Sequence, residues 1–213
     1  IRGLTTIGEN NRVFQFATVG EDTPDLKYKG EPTRLEIGDN NTIREGVTIH
    51  RGTVQDNSLT SIGSNNLLMA YVHIGHDCVV GDHCILVNNA SLAGHVHVGD
   101  WAIISGYALI HQFVSIGAHS FTGAAAYLTQ DLPAYVMAAG SPAEAKTINA
   151  EGLKRRGFDR EAITAIKQAF KILYRQGYSL QEAIGLLEVL AREQPAVGLL
   201  VDSVRNSSRG ILR

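Results

Sequence analysis

Little in this 213-residue chain can cross-link it or hold it in a bilayer. Cysteine is limited to Cys78 and Cys84, too few for a disulfide framework. No apolar run reaches the roughly 18 residues a membrane-spanning helix needs. The net charge is −2, which leaves no cationic excess to draw in nucleic acid or a general membrane surface. No signal-peptide pattern is present, and two unpaired thiols fit a reducing cytoplasm. The chain opens at Ile1 without methionine, already in the register described next. The native protein is therefore expected to begin earlier, with further coils.

What the chain does have is a period of six. Ile62, Leu68, Ile74, Val80, Leu86, Leu92, Val98, Ile104, Ile110, Ile116, Thr122 and Leu128 follow one another at that spacing, and Gly63, Gly75, Gly81, Gly99 and Gly117 come directly after members of the row. A helix would scatter these positions around its circumference. Six is the hexapeptide repeat of a parallel β-helix: three short strands per coil, one aliphatic from each pointing inward. Residues 18 apart then stack one strand spacing from each other, about 4.8 Å.

The register also holds at Ile1, Ile7, Val13 and Val19 and resumes at Ile37, Ile43 and Ile49. Between them the inward positions would be Asp25 and Glu31, which a dry core does not accept. Residues 21–34 are therefore expected to leave the solenoid as a loop. A second excursion is expected near residues 51–60. The repeat fades after Leu128, and Gly140-Ser-Pro-Ala143 is expected to close a first domain of residues 1–143. Residues 144–213 then form a small helical domain. Asp159 caps a helix to about Gln176, Ser179-Leu-Gln-Glu182 is a capping box for a second, and Pro195 opens a third. Ile184, Leu187, Val189 and Leu190 supply the packing face of the second helix, and the tail Ser207–Arg213 is polar and basic.

Eight histidines are present, and their spacing groups several of them. Ile74, Leu92 and Ile110 are 18 apart, so His76, Gly94-His95 and His111-Gln112 line one edge of the prism, with His73 beside them. A glycine under a histidine leaves room for a ligand and a backbone N–H free to donate. Asp77, next to His76, can hold one imidazole nitrogen and leave the other as a general base. No serine or cysteine nucleophile is paired with this column, which favours direct attack by a substrate hydroxyl or amine over a covalent enzyme intermediate. His83, His97 and His119 read as surface or packing residues. The cations Lys154, Arg155, Arg156, Arg160, Lys167, Lys171 and Arg175 could serve a phosphorylated ligand near Asn149 and Glu151, or an acidic protein partner.

Taken together, Lys27-Tyr28, Gly30-Glu-Pro-Thr-Arg34, Thr48-Ile-His-Arg-Gly52, His73-Ile-Gly-His-Asp77, Leu92-Ala-Gly-His95, His111-Gln-Phe113 and Glu151-Gly-Leu-Lys-Arg-Arg-Gly-Phe158 resemble the UDP-N-acetylglucosamine O-acyltransferases. The resemblance extends over nearly the whole chain. It implies a left-handed parallel β-helix and a cytoplasmic homotrimer, without cofactor or metal, that acts in the first step of lipid A biosynthesis. The donor would be a 3-hydroxyacyl chain on acyl carrier protein, and the acceptor the 3-hydroxyl of UDP-N-acetylglucosamine. His76 would be the general base, Asp77 its orienting carboxylate and Gly94 the oxyanion donor. His73, His95, His111 and Gln112 would contact sugar or donor, Asp25 and Lys27 would reach the substrate from their loop, and Asn149, Glu151, Arg155 and Arg156 would hold the nucleotide end. Gly123 and Ala124 would end the acyl groove, where the family often has two glycines, so a shorter chain is expected. Pro24 stands where a polar residue is expected. Two other enzymatic readings remain: an N-acyltransferase of a UDP-amino sugar, and a γ-carbonic-anhydrase-like zinc enzyme using His73, His76 and His95. A third is a non-catalytic scaffold.

Overall fold

A computed structural model describes all of residues 1–213. The chain winds into a left-handed parallel β-helix of three faces. The first face has six strands, from Leu4–Ile7 to Ser115–Ile116. The third also has six, from Thr18–Glu21 to Tyr127–Leu128. The second has eight, from Arg12–Val13 to Ala143–Ile148. All twelve members of the row from Ile62 to Leu128 are buried. Thr122 is accommodated because its hydroxyl accepts from the Ser105 amide at 3.0 Å.

Strand partners in the regular part are 18 residues apart, as in Val80 with Val98 and Ile74 with Leu92. Across the first excursion the partners are Val19 and Ile49, 30 apart; across the second they are Ile49 and Ile74, 25 apart. The two loops thus add twelve and seven residues to their coils. The second is shorter than expected, because Leu59 and Thr60 already belong to the strand Leu59–Ile62. In the first coil the inward row is not yet covered: Ile1 and Val13 are exposed, and Val19 is its first fully buried member.

Each hexapeptide turns at a residue in the left-handed region, with φ of 57–64° at Asp77, His83, His95, Trp101 and Phe113. That conformation costs a non-glycine residue about 1–2 kcal/mol. The residue after each turn fills the corner from within. Val72, Cys78, Cys84, Ala90, Val96, Ala102, Ala108, Val114, Ser120 and Ala126 are all fully buried. They form a second inward row of period six, made mostly of small side chains. The two cysteines are members of it, free and inert, with burial pushing each thiol up to about 12.

The expected boundary at 143 falls inside a hairpin. Gly140–Ala143 turns Val136–Gly140 into the antiparallel strand Ala143–Ile148, so the second sheet continues past it. Four helices follow: α1 (Ala150–Arg155), α2 (Arg160–Tyr174), α3 (Leu180–Glu193) and α4 (Gly198–Arg205), the last preceded by a short 3-10 turn at Pro195. Asp159 caps α2, and Ser179 and Glu182 form the capping box of α3. The helix α1 was not expected. Val189 faces solvent rather than the core, and Ala183 packs in its stead. α2 buries Ile163, Ile166, Phe170 and Leu173. The tail is not wholly polar, since Ile211 and Leu212 are buried and Leu212 donates its amide to the Asp131 carbonyl.

Candidate active site

The edge between the third and first faces carries the histidine column. Its left-handed positions are Asp77, His95 and Phe113, and the positions just before them are His76, Gly94 and Gln112. Asp77 is buried. Its Oδ2 accepts from His76 Nδ1 at 2.8 Å and from Thr53 Oγ1 at 2.7 Å, while its Oδ1 accepts from the Thr53 amide at 2.8 Å. Burial alone would raise its pKa, but the His76 and Thr53 donors outweigh it and hold the carboxyl below its ordinary range. A carboxylate can only accept, so Nδ1 of His76 donates, and in the neutral imidazole Nε2 is the nitrogen left to accept.

Gly94 lies against that ring. A Cβ at this position would come within 2.6 Å of His76 Cε1 and 2.7 Å of Nε2, so any side chain would displace the imidazole. The Gly94 amide makes no hydrogen bond within the chain. His95 meets His76 edge-on at 5.0 Å and stacks on Phe113 at 4.4 Å. Its Nδ1 donates to Asp56 Oδ2 at 2.9 Å. A cleft of about 790 Å³ opens over these residues, lined by Asp25, Lys27, Asp56, His76, His95 and Gln112, with Pro24 at its side.

The first excursion reaches this cleft because Arg51 pins it. The buried guanidinium donates to the Gly20 carbonyl at 2.6 Å, to Tyr28 Oη at 2.8 Å and to Asp22. His50 Nδ1 adds a bond to the Asp22 carbonyl at 2.7 Å. A second groove of about 450 Å³ adjoins the cleft at Gln112 and runs along the third face past His73, His111, Leu109 and Tyr127. His73 bonds Thr48 Oγ1 at 2.8 Å, and burial, then the neighbouring His50 and His76, lowers its pKa.

One reading changes here. The imidazoles considered as zinc ligands do not converge: the donors that cluster are His76, Asp77 and His95, while His73 is engaged with Thr48. The clustered atoms are already joined to one another, to Thr53 and to Asp56. The nucleotide set, meanwhile, is not brought into the cleft. Asn149 caps α1 through Gly152 and donates to the His119 carbonyl. Glu151 pairs with Lys154 at the surface, and Arg155 is exposed. Arg156 turns to the edge between the first and second faces, donating to His119 Nδ1 at 3.1 Å above Trp101. His119, read as a surface or packing residue, is a half-buried member of an aromatic stack with Trp101, Tyr135 and Phe158. Burial, then the Arg156 charge, pushes its pKa down to about 4.

Sequence reasoning missed Thr53 and Asp56. Both lie in the second excursion, and the break in the hexad register there was the signal that could have found them.

Comparison with known proteins identifies the architecture. Residues 131–212 match a family model described as UDP N-acetylglucosamine O-acyltransferase, domain 2, and residues 59–94 match the bacterial transferase hexapeptide model. An acyl-[acyl-carrier-protein]–UDP-N-acetylglucosamine O-acyltransferase of Stutzerimonas stutzeri is 61% identical over 212 residues, 100% of this chain and 82% of that protein. The chain belongs to the UDP-N-acetylglucosamine O-acyltransferase family. The member from Azotobacter vinelandii is 65% identical over 204 residues, 96% of this chain and 79% of that protein. The solved O-acyltransferase of Moraxella catarrhalis superposes with a TM-score of 0.97 at 49% identity, covering 99% of this chain and 82% of that one. The chain is an acyltransferase of this family.

Proposed function

We propose that His76 is the general base in transfer of a 3-hydroxyacyl group from acyl carrier protein to the 3-hydroxyl of UDP-N-acetylglucosamine, the step that opens lipid A biosynthesis. The observation that carries this assignment is the His76–Asp77 pair set against Gly94, whose N–H has no partner. Nε2 takes the proton of the sugar hydroxyl while its oxygen attacks the thioester carbonyl carbon. The negative charge that develops on the carbonyl oxygen is received by the Gly94 N–H. The C–S bond then breaks, and the imidazolium returns its proton to the leaving thiolate. The charge of Asp77 stabilises the imidazolium between those two events.

Asp25, Lys27, His95 and Gln112 line the space for the sugar, and the adjoining groove receives the acyl chain. From His73 to Tyr127 that groove passes over three strand spacings, about 14 Å, and ends in the coil that holds Gly123 and Ala124. The nucleotide-end residues Asn149, Glu151, Arg155 and Arg156 stand at another edge of the prism. A neighbouring subunit of a homotrimer would bring such an edge to the His76 cleft. Arg160, Lys167, Lys171 and Arg175 are exposed along one side of α2, a cationic stripe suited to an acidic carrier protein in the cytoplasm.

The test is turnover of 3-hydroxyacyl carrier protein and UDP-N-acetylglucosamine by the chain and its His76→Ala variant, with chelator present. A fall in kcat of about 100-fold or more supports the assignment. An unchanged rate, or activity that chelation abolishes, defeats it.

A further inference from the structure

We infer that Thr53 is a positioning residue of this reaction, acting on His76 through Asp77. The inference rests on the general-base reading of His76. Thr53 stands outside the repeat, in the second excursion, yet it is fully buried. It donates twice to one carboxylate, from its amide to Oδ1 and from its hydroxyl to Oδ2. With the His76 bond, three donors from two directions fix the plane of the Asp77 carboxyl. A fourth bond, from the Asp77 amide to Thr60 Oγ1 at 2.8 Å, fixes its backbone. Gly52 makes the approach possible, because a Cβ there would lie 2.2 Å from the Leu59 amide and 2.8 Å from Asp77 Oδ1.

The arrangement separates two tasks. Asp77 sits in a left-handed turn and cannot be held by the strand ladder alone. Thr53 supplies the missing constraint, and its hydroxyl shares Oδ2 with His76. Removing the hydroxyl leaves the carboxyl with two donors instead of three, the Thr53 amide on Oδ1 and His76 alone on Oδ2, so the carboxyl and the imidazole it orients are held less firmly. A buried carboxylate that loses one donor also becomes easier to protonate.

The test measures kcat and KM for both substrates in Thr53→Val and Thr53→Ser, each also combined with Asp77→Asn. Thr53→Val is expected to lower kcat about tenfold, the scale of one charge-assisted hydrogen bond, with both KM values within about twofold of the parent. Thr53→Ser, which restores the donor, should return kcat to near the parent. In the Asp77→Asn background the valine should cost nothing further, because its route to His76 has been removed. Thermal melts check the fold, and Thr53→Ala carries the same expectations should valine not be tolerated. An unchanged kcat, a loss confined to KM, failure of serine to restore the rate, or an undiminished loss in the Asp77→Asn background would each overturn the inference. His76→Ala separates the two levels. If it keeps full activity, the general-base reading falls and this inference with it. If it is inactive while Thr53→Val is normal, only the inference falls.

Discussion

At the edge between the first and second faces, Asp39, Ser64, Asp82 and Asp100 occupy the position just before the left-handed turn. Each side chain accepts from the amide of the equivalent residue one coil earlier: Asp39 Oδ1 from Glu9 N at 2.6 Å, Ser64 Oγ from Asp39 N at 3.0 Å, Asp82 Oδ1 from Ser64 N at 2.6 Å, and Asp100 Oδ1 from Asp82 N at 2.9 Å. At the edge between the third and first faces the same position holds His76, Gly94 and Gln112, and none of their amides is bonded within the chain. The coil geometry is alike at the two edges. A hexapeptide corner leaves one N–H unpaired unless the next coil supplies a short acceptor. One edge supplies it as far as the Asp82 amide and is closed there; the other does not, and its free donor is available to a carbonyl. The proposed oxyanion site thus needs no special loop, only the omission of a capping aspartate.

That comparison can be broken directly. Gln112→Asp places at the catalytic edge the acceptor that the other edge uses, one coil after Gly94. The aspartate is expected to bond the Gly94 amide, slow its hydrogen exchange and cut kcat by about 100-fold, the scale of losing one oxyanion donor. Tm should stay level or rise. Gln112→Ala, which removes the amide side chain without capping, separates the loss of a substrate contact from closure of the donor. A Gln112→Asp variant with fast Gly94 exchange and normal kcat would mean that the two edges are not equivalent.

The imidazoles of the two edges sharpen the contrast at an intermediate scale. His119 accepts from Arg156, so it is neutral, and its pKa of about 4 lies below the unfolded value near 6.5. The unfolded chain then takes up the proton first, so this residue lowers stability as pH falls from about 6.5 toward 4. Proton-detected titration should show His119 uncharged at pH 5.5. Arg156→Gln should raise its pKa part of the way, because burial remains the larger cause. A His119 that titrates near 6.5 in the parent would refute the account. The smallest effect concerns the coil proposed to end the acyl groove. Ala124→Gly removes one methyl and should shift the preferred acyl chain longer by one or two carbons. Discrimination between neighbouring lengths there is worth about 1–3 kcal/mol, read from kcat/KM across a chain-length series; a series with an unmoved optimum would sink it.

Much of this was legible from spacing. Ile62 to Leu128 state the inward row, and the failure of Asp25 and Glu31 to fit it locates the first loop. The pairing of His76 with Asp77 follows from their adjacency, and the glycine beneath them from an 18-residue coil. Other features were hidden for physical reasons. The helix α1 is only six residues long, too short for an amphipathic period to register, and contains Gly152. Thr53 has no periodic partner, since a loop residue is positioned by tertiary contact alone. The acid ladder was visible as Asp82 and Asp100 at the coil spacing, but spacing does not show which amide a side chain reaches. The residues proposed for the nucleotide end share a short segment, yet its direction relative to the prism depends on how α1 leaves the hairpin.

The 18-residue register also restricts how such a chain can change length over generations. Loss or gain of a single residue between Ile62 and Leu128 would rotate every later side chain off its row, moving aliphatics outward and catalytic groups inward. Within the prism, length can vary freely only where the ladder has already been interrupted, at residues 22–33 and 51–58. Elsewhere in the prism a descendant can grow or shrink only by whole coils, each of which would move the end of the proposed acyl groove by one strand spacing. Drift of the prism is therefore confined to substitution, except in the two segments that bear directly on the cleft.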